Sequence, residues 1–306
     1  MVQKNNLKNK ILIICGPTAS AKTALSIECA KILNTEIISA DSMNIYSGLD
    51  IGTAKPSTLE RQGVKHHLID VVSPKETFTV SDYKNLARPV IDNLLSDGKI
   101  PIVCGGTGFY INSILYDLSY GYGSGNIEIR EKYQKLAQKK GNEFVYKILE
   151  EIDPDSAKKI HFNDVKRVIR ALEICANGRK KSEIIDDLTP KYNYDAYCID
   201  FPRQELYSRI DYRVDLMIEN GLVNEVTELI NSGITDLDQC MQGIGYKEIY
   251  SYIKGEISLD EAINLIKINT RHYAKRQITF FKRLPNLNYL SPEEPKMLTK
   301  RITEKL

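Results

Sequence analysis

Near the start of the chain, Gly16-Pro17-Thr18-Ala19-Ser20-Ala21-Lys22-Thr23 joins the apolar run 11–15 to an amphipathic segment over 22–33. This is the outline of a phosphate-binding loop, G-x-x-x-x-G-K-[ST]. In such a loop, successive backbone N–H groups and a helix N-terminus converge on an anion. Here Lys22 would add a mobile positive charge and the Thr23 hydroxyl would ligate Mg²⁺. The strict pattern fails at Ala21, where glycine permits unusual backbone angles and close phosphate approach. If the backbone at 21 is near the right-handed helical region, alanine costs little there.

Two more strand ends carry chemistry. "IPIVCGGTGFY" places Gly105, Gly106 and Thr107 after a buried run, where Thr107 would offer a hydroxyl into the cleft. "EIISADSMN" places Asp41 just past another. Open α/β sheets bind ligands at the carboxyl ends of their strands. Asp41 has three open roles: Mg²⁺ ligand, general base, or helix N-cap together with Ser42. The polar, turn-rich "GLDIGTAKP" that follows is not explained by propensity. Arg209 and Arg213 lie i, i+4 beside an apolar stripe of Leu206, Ile210, Val214 and Met217. They would either reach a bound anion or form an ion-pair ladder with Glu205.

The elements that position these groups follow from periodicity. "ILIIC", "EIISA", "HLIDVV", "IPIVC" and "AYCID" read as strands. Helical patterns separate the first four, so a parallel sheet with helices on both faces is expected. From 127 to about 191 only helical patterns occur, after a glycine-rich "SYGYGSGN" at 119–126 expected to be flexible. One reads "NDVKRVIRALEICANG", with Asn163 as N-cap and Val165, Val168, Ile169, Leu172 and Cys175 as apolar stripe. The fold class is therefore α/β: a core of 1–117 and 196–306 with an all-α insertion at 118–195. The stretch 203–306 reads as helices, the last long one opening on the capping box Ser258-x-x-Glu261. That helix groups Arg271, Lys275 and Lys282, with Arg276 and Arg283 adjacent, as a local basic face for phosphates. Tyr273 and Phe280 read as core, and His66 and His67 as structural.

The bulk composition narrows the class. With 306 residues, 42% hydrophobic, and a net charge of +2, the chain has a sizeable core and no global field toward nucleic acid or membrane. No apolar run is long enough to span a bilayer, and 11–15 is too short for a signal sequence. The six cysteines are scattered without a C-x-x-C pair, which fits a cytoplasmic chain without disulfides or zinc.

In order and spacing, "GPTASAKT", "ISADSMNIYSGLDIGTAKP", "HHLIDVVSPKETFTVSDY", "GGTGFY", "DVKRVIRALE", "GIGYKE" and "TRHYAKRQITFFKR" resemble the tRNA dimethylallyltransferase (isopentenyltransferase) family over roughly 11–283. The resemblance implies a P-loop kinase-like core whose helical insertion grips the anticodon stem-loop. It implies transfer of a dimethylallyl group from dimethylallyl diphosphate to N6 of adenine at tRNA position 37, the base being flipped into a channel through the core. Carried over by position, Asp41 matches the general base and Thr107 a hydroxyl on the target nucleotide. Residues 18–23 match the donor loop, with Arg213 as a further anion ligand. Asp41, Ser42, Met43 and Asn44, Arg130, and the run Lys166, Arg167, Val168, Ile169 and Arg170 match tRNA contacts. Lys275 and Arg276 join them on the terminal helix. The family usually has Gln where Lys166 stands and Gly where Ala21 stands. Mg²⁺ as cofactor, a monomeric state and no membrane partner complete the expectation. Two rivals share parts of the pattern: a small-molecule kinase, and a tRNA-binding protein with a disabled cradle.

Overall fold

The computed structural model describes residues 9–119 and 127–304. The first five strands are β1 (Lys10–Cys15), β2 (Ile37–Ser39), β3 (His66–His67), β4 (Ile102–Gly105) and β5 (Asn193–Ile199). With β6 (Leu287–Leu290) they form one sheet, ordered β3-β2-β4-β1-β5-β6, in which every pair is parallel. The centre is β1, whose Ile11–Cys15 are all buried. That is why it reads as a continuous apolar run rather than an alternation.

The helices of the core are α1 (Lys22–Leu33), α2 (Val80–Ser96) and α3 (Gly108–Leu115). The insertion contributes α4 (Ile127–Lys140), α5 (Asn142–Ile152), α6 (Pro154–Ala157) and α7 (Val165–Ala176). Then follow α8 (Arg203–Glu219), α9 (Leu222–Asn231), α10 (Tyr246–Ile253), α11 (Leu259–Phe281) and α12 (Pro295–Thr303). The predicted capping box starts α11: Ser258 accepts the Glu261 N–H and Glu261 accepts the Ser258 N–H.

Register positions the site. Cys15 lies opposite Gly105 on one side and Cys198 on the other, and Ser39 lies opposite Cys104. The loops leaving β1, β2 and β4 therefore depart from one edge of the sheet.

Three expectations are corrected. Of "HLIDVV" only His67 is strand, paired with His66 before it in β3, because Leu68 (φ 61°) and Asp70 (φ 57°) turn left-handed and bend the chain away. The chain beyond 203 is not all helix, since β6 adds an edge strand. The N-cap of α7 is Asp164, which accepts the Arg167 N–H, rather than Asn163. Of the glycine-rich segment expected to be flexible, 120–126 lie outside the described residues.

The chain divides into two compact units, 1–115 with 190–306, and 116–189. The second ends before the expected 195 because β5 already begins at Asn193. Its own core packs Ala137, Val145, Leu149, Ile160, Val168, Ile169 and Leu172. Buried Asp153 knits this unit: it accepts N–H bonds from Ser156 at the start of α6 and from Ser182. Burial pushes its carboxyl up, but the hydrogen bonds from Ser156 and Ser182 win and hold it at about 2. That stabilisation is present above the ordinary aspartate value and lost as pH falls toward 2. We expect Asp153→Ala to destabilise the insertion unit by about 1–3 kcal/mol, read as urea unfolding at neutral pH. The mutant should also lack the part of the wild type's acid sensitivity that lies between pH 4 and 2.

Candidate active site

The loop after β1 is held from several sides. Gly16 (φ 135°) is required, since a Cβ there would stand 2.8 Å from Cys198 Sγ. Ser20 Oγ donates to the Pro17 carbonyl at 2.8 Å, Lys22 Nζ donates to the same carbonyl, and Arg209 Nε donates to the Ala19 carbonyl at 2.9 Å. The Thr18 N–H is taken by Gln277 Oε1 at 2.9 Å. The N–H groups of Ala19, Ser20, Ala21 and Lys22 have no hydrogen-bond partner among the described residues. They sit where α1 begins, which makes them an anion cradle.

Ala21 adopts φ 59°, ψ 20° as the N-cap of α1. This is left-handed backbone, so the alanine is not the inexpensive helix starter that a right-handed conformation would allow. The conformation costs a Cβ-bearing residue about 1–2 kcal/mol. Burial of the methyl against the core beside α1 offsets part of this, by about 0.8 kcal/mol. We expect Ala21→Gly to raise stability slightly, by about 0.5–1 kcal/mol, and to tighten diphosphate binding by easing phosphate approach. Thermal melts with and without diphosphate check both; a less stable or weaker-binding glycine variant would contradict the argument.

Lys22 and Arg213 line a cavity of about 530 Å³ together with Thr18, Thr23, Asp41 and Tyr273. Burial pushes the Lys22 ammonium below the ordinary lysine value, and the nearby Arg213 charge lowers it further. Burial likewise lowers Arg213, opposed by Asp41 and Glu60. Arg213 makes no ion pair or hydrogen bond among the described residues, and none pairs Arg209 or Arg213 with Glu205. Instead Arg209 grips the loop and stacks over Phe201, 4.6 Å from the ring. Two desolvated cations facing one void call for an anion.

Another part of the cavity wall is built on Asp41. Its Oδ1 accepts the Met43 N–H at 2.9 Å, capping a turn and not a helix. Thr107 clasps that turn: its Oγ1 accepts the Ser42 N–H at 3.0 Å, and its own N–H donates to the Ala40 carbonyl at 3.0 Å. The glycines before Thr107 serve packing. A Cβ on Gly105 would fall 2.2 Å from the Ala40 carbonyl oxygen, and one on Gly106 would fall 2.1 Å from Gln277 Nε2.

Sequence reasoning passed over several of these groups. Tyr273, expected in the core, lines the cavity beside Thr107, Gln277 and Asp41; burial, aided by Asp41, pushes its phenol up to about 12, so it keeps its proton. His66 also reaches the cavity wall, with its Nδ1 bonded to the Val64 carbonyl at 2.9 Å, and His67 is bonded to Glu36 at 2.6 Å, in keeping with a structural role for both. Buried polar atoms on three cavity-lining residues, Asn44 Oδ1, Tyr46 OH and His66 Nε2, have no partner among the described residues. The turn-rich "GLDIGTAKP" is explained by Glu225 of α9, whose carboxylate collects the N–H groups of Asp50, Ile51 and Gly52 and the Tyr246 hydroxyl.

Comparison with known proteins places the chain in a family. The sequence model of one protein family, IPP transferase, matches residues 44–284. The chain belongs to the IPP transferase family. It is 49% identical over 290 residues to the tRNA dimethylallyltransferase of Acetivibrio thermocellus, covering 94% of this chain and 93% of that one. A tRNA isopentenylpyrophosphate transferase from Bacillus halodurans superposes with a TM-score of 0.73 at 39% identity, covering 97% of each chain. A eukaryotic dimethylallyltransferase acting on tRNA superposes with a TM-score of 0.80 at 28% identity, covering 97% of this chain and 77% of that one.

In this chain the residues expected at the tRNA are distributed unevenly. Lys166 and Arg167 are exposed on α7, with Arg167 paired to Asp164 at 3.3 Å. Arg130 and Arg170 both bind Glu173, at 3.2 and 2.7 Å, and Glu173 is 0% exposed. Burial pushes Glu173 up, but the bonds from Arg170 and Arg130 override it and leave its carboxyl below the ordinary value. Val168 and Ile169 lie in the core of the insertion unit, because they form the apolar stripe of α7. Their side chains are not presented to a ligand. On α11, Arg271 is committed to Asp211, which removes it from the expected basic face. Lys275, Arg276, Lys282 and Arg283 remain exposed, and Arg276 borders the cavity.

Proposed function

We propose that the protein transfers a dimethylallyl group from dimethylallyl diphosphate to N6 of the adenine at position 37 of tRNA, releasing diphosphate. The observation that carries the reading is a carboxylate and two half-buried, desolvated cations facing one cavity: Asp41 against Lys22 and Arg213. In the reaction the C1–O bond of the donor breaks as the N6–C1 bond forms, and the N6 proton passes to Asp41. The negative charge that grows on the departing diphosphate meets the N–H groups of residues 19–22, Lys22 and Arg213, which are oriented before the reaction begins. Holding N6 and C1 in line accounts for much of the remaining acceleration. The adenine must leave its stack to enter the cavity, and the neighbouring single-stranded bases can then be read directly. The exposed cations of α7 and of α11 would supply phosphate contacts.

The residues fit Mg²⁺. Thr23 offers a hard hydroxyl oxygen on the cavity wall, and Mg²⁺ is usually held by one or two protein oxygens plus phosphates rather than by a protein cage. When bound, the ion would neutralise the leaving diphosphate. Among the described residues no helix is long and apolar enough to cross a membrane, and the reading needs only one copy of the chain.

The experiment is incubation of labelled dimethylallyl diphosphate and Mg²⁺ with an unmodified tRNA carrying adenines at the anticodon's third position and just after it. Label should appear in the RNA, at N6 of the second adenine. Intact tRNA binding without label would overturn the reading in favour of a binding protein. ATP-dependent phosphoryl transfer would overturn it in favour of a kinase.

A further inference from the structure

Gln277 lies midway along the C-terminal half of α11 and is 5% exposed. A buried amide in a helix that otherwise packs through Ala274, Ile278 and Phe281 needs partners for both of its ends. It finds them on the two halves of the active site. Its Oε1 accepts the Thr18 N–H of the phosphate loop at 2.9 Å, and its Nε2 donates to the Gly106 carbonyl at 2.9 Å. Gly106 adjoins Thr107, the residue that clasps the Asp41–Ser42 turn. One side chain thus spans 259 residues of sequence in one direction and 171 in the other. The absence of a side chain at 106 is what admits it, since a Cβ there would fall on Nε2.

We propose that Gln277 is a positioning residue for the transfer reaction, tying the donor loop to the turn that holds Asp41 so that leaving group and base keep a fixed separation. The proposal rests on the reading of the loop as the donor's diphosphate site. In this role Gln277 acts through its bonds to Thr18 and Gly106. With the amide gone, the Thr18 N–H and the Gly106 carbonyl lose their partners, and both segments are free to relax.

The test uses the full chain with Gln277→Met, which keeps the side-chain length and apolar packing but makes neither hydrogen bond. Gly106→Ala, which pushes the Gln277 amide aside, and the double variant complete a cycle. Inorganic diphosphate is titrated by calorimetry, so that the loop is read without turnover. Gln277→Met should weaken diphosphate binding about tenfold, and Gly106→Ala should do the same. Because both break one link, the double variant should be no more than about threefold worse than either single one. In turnover the donor KM should rise and kcat fall, while the KM for tRNA stays within about twofold. A general loosening of α11 would raise the tRNA KM as well and lower the melting temperature in step, and that outcome overturns the proposal. Wild-type diphosphate affinity in Gln277→Met overturns it, as does full multiplication of the two single effects. If Gln277→Met fails to fold, Gly106→Ala with Gln277 intact carries the test, and wild-type affinity there is equally fatal. If the wild type binds diphosphate and the cycle behaves as stated but no label reaches tRNA, the proposed reaction fails and the positioning role stands.

Discussion

Replacing Asp41 with Asn is expected to lower kcat for prenyl transfer by a factor of about 10² to 10⁴ while leaving the affinities for tRNA and for diphosphate nearly unchanged. The asparagine is the informative substitution because its Oδ1 can still accept the Met43 N–H that the aspartate accepts at 2.9 Å. The turn, and its clasp from Thr107 through the Ser42 N–H, should therefore survive. What disappears is the negative charge proposed to take the N6 proton. Exocyclic N6 is a weak nucleophile because its lone pair is delocalised into the ring. Removing a proton as the bond forms is therefore the step for which a base matters most. Single-turnover rates with saturating donor and tRNA isolate that step from binding and release. A variant that loses tRNA affinity instead of rate would make Asp41 a contact residue. A variant with wild-type rate would show that the proton goes elsewhere.

Which parts of this site were legible in the sequence depends on how local their causes are. The central strand could be read because Ile11–Cys15 are buried on both faces, which leaves an uninterrupted apolar run. The edge strand β6 could not, because among Leu287–Leu290 only the last residue is buried. Strand β3 was read too long because composition says nothing of the left-handed turns at Leu68 and Asp70. Ala21 shows the limit most clearly: alanine propensity points to right-handed helix, and the closing geometry of the loop imposes the opposite hand. On α7 the local signal should have prevailed. The helical spacing of Val168 and Ile169 already marked them as core, and the resemblance drew them into a contact run that their burial does not support. The roles of Glu225 and Gln277 were invisible for a different reason. Each acts on backbone groups more than 170 residues away, so only the fold discloses the partner.

The second large effect concerns Lys22, the charge proposed to hold the leaving group. Lys22→Met is expected to lower kcat/KM for the donor by a factor of about 10² to 10³, yet to make the protein without donor more stable, by about 1 kcal/mol. Both follow from the same placement. Burial and the facing Arg213 make the ammonium costly to hold, which is why its pKa is lowered. Only an anion in the cavity repays that cost. Folding therefore favours the neutral amine more than the unfolded chain does, and this contribution disfavours the folded state at neutral pH. It is relieved as pH rises from the lowered folded value toward the ordinary lysine value. The donor requires the charged form. Since kcat/KM reports the free enzyme, it should be full near neutral pH, where Asp41 is ionised and Lys22 charged, and fall as pH rises through a value below that of an ordinary lysine. Arg213→Met removes the repulsion from Lys22, so its alkaline limb should move to higher pH even as its overall donor affinity drops. Lys22→Met should have no such limb at all. A pH profile of kcat/KM for the three proteins, with thermal melts in the absence of donor, decides the matter. An alkaline limb that persists in Lys22→Met would assign the titration to another group and remove Lys22 from the leaving-group site.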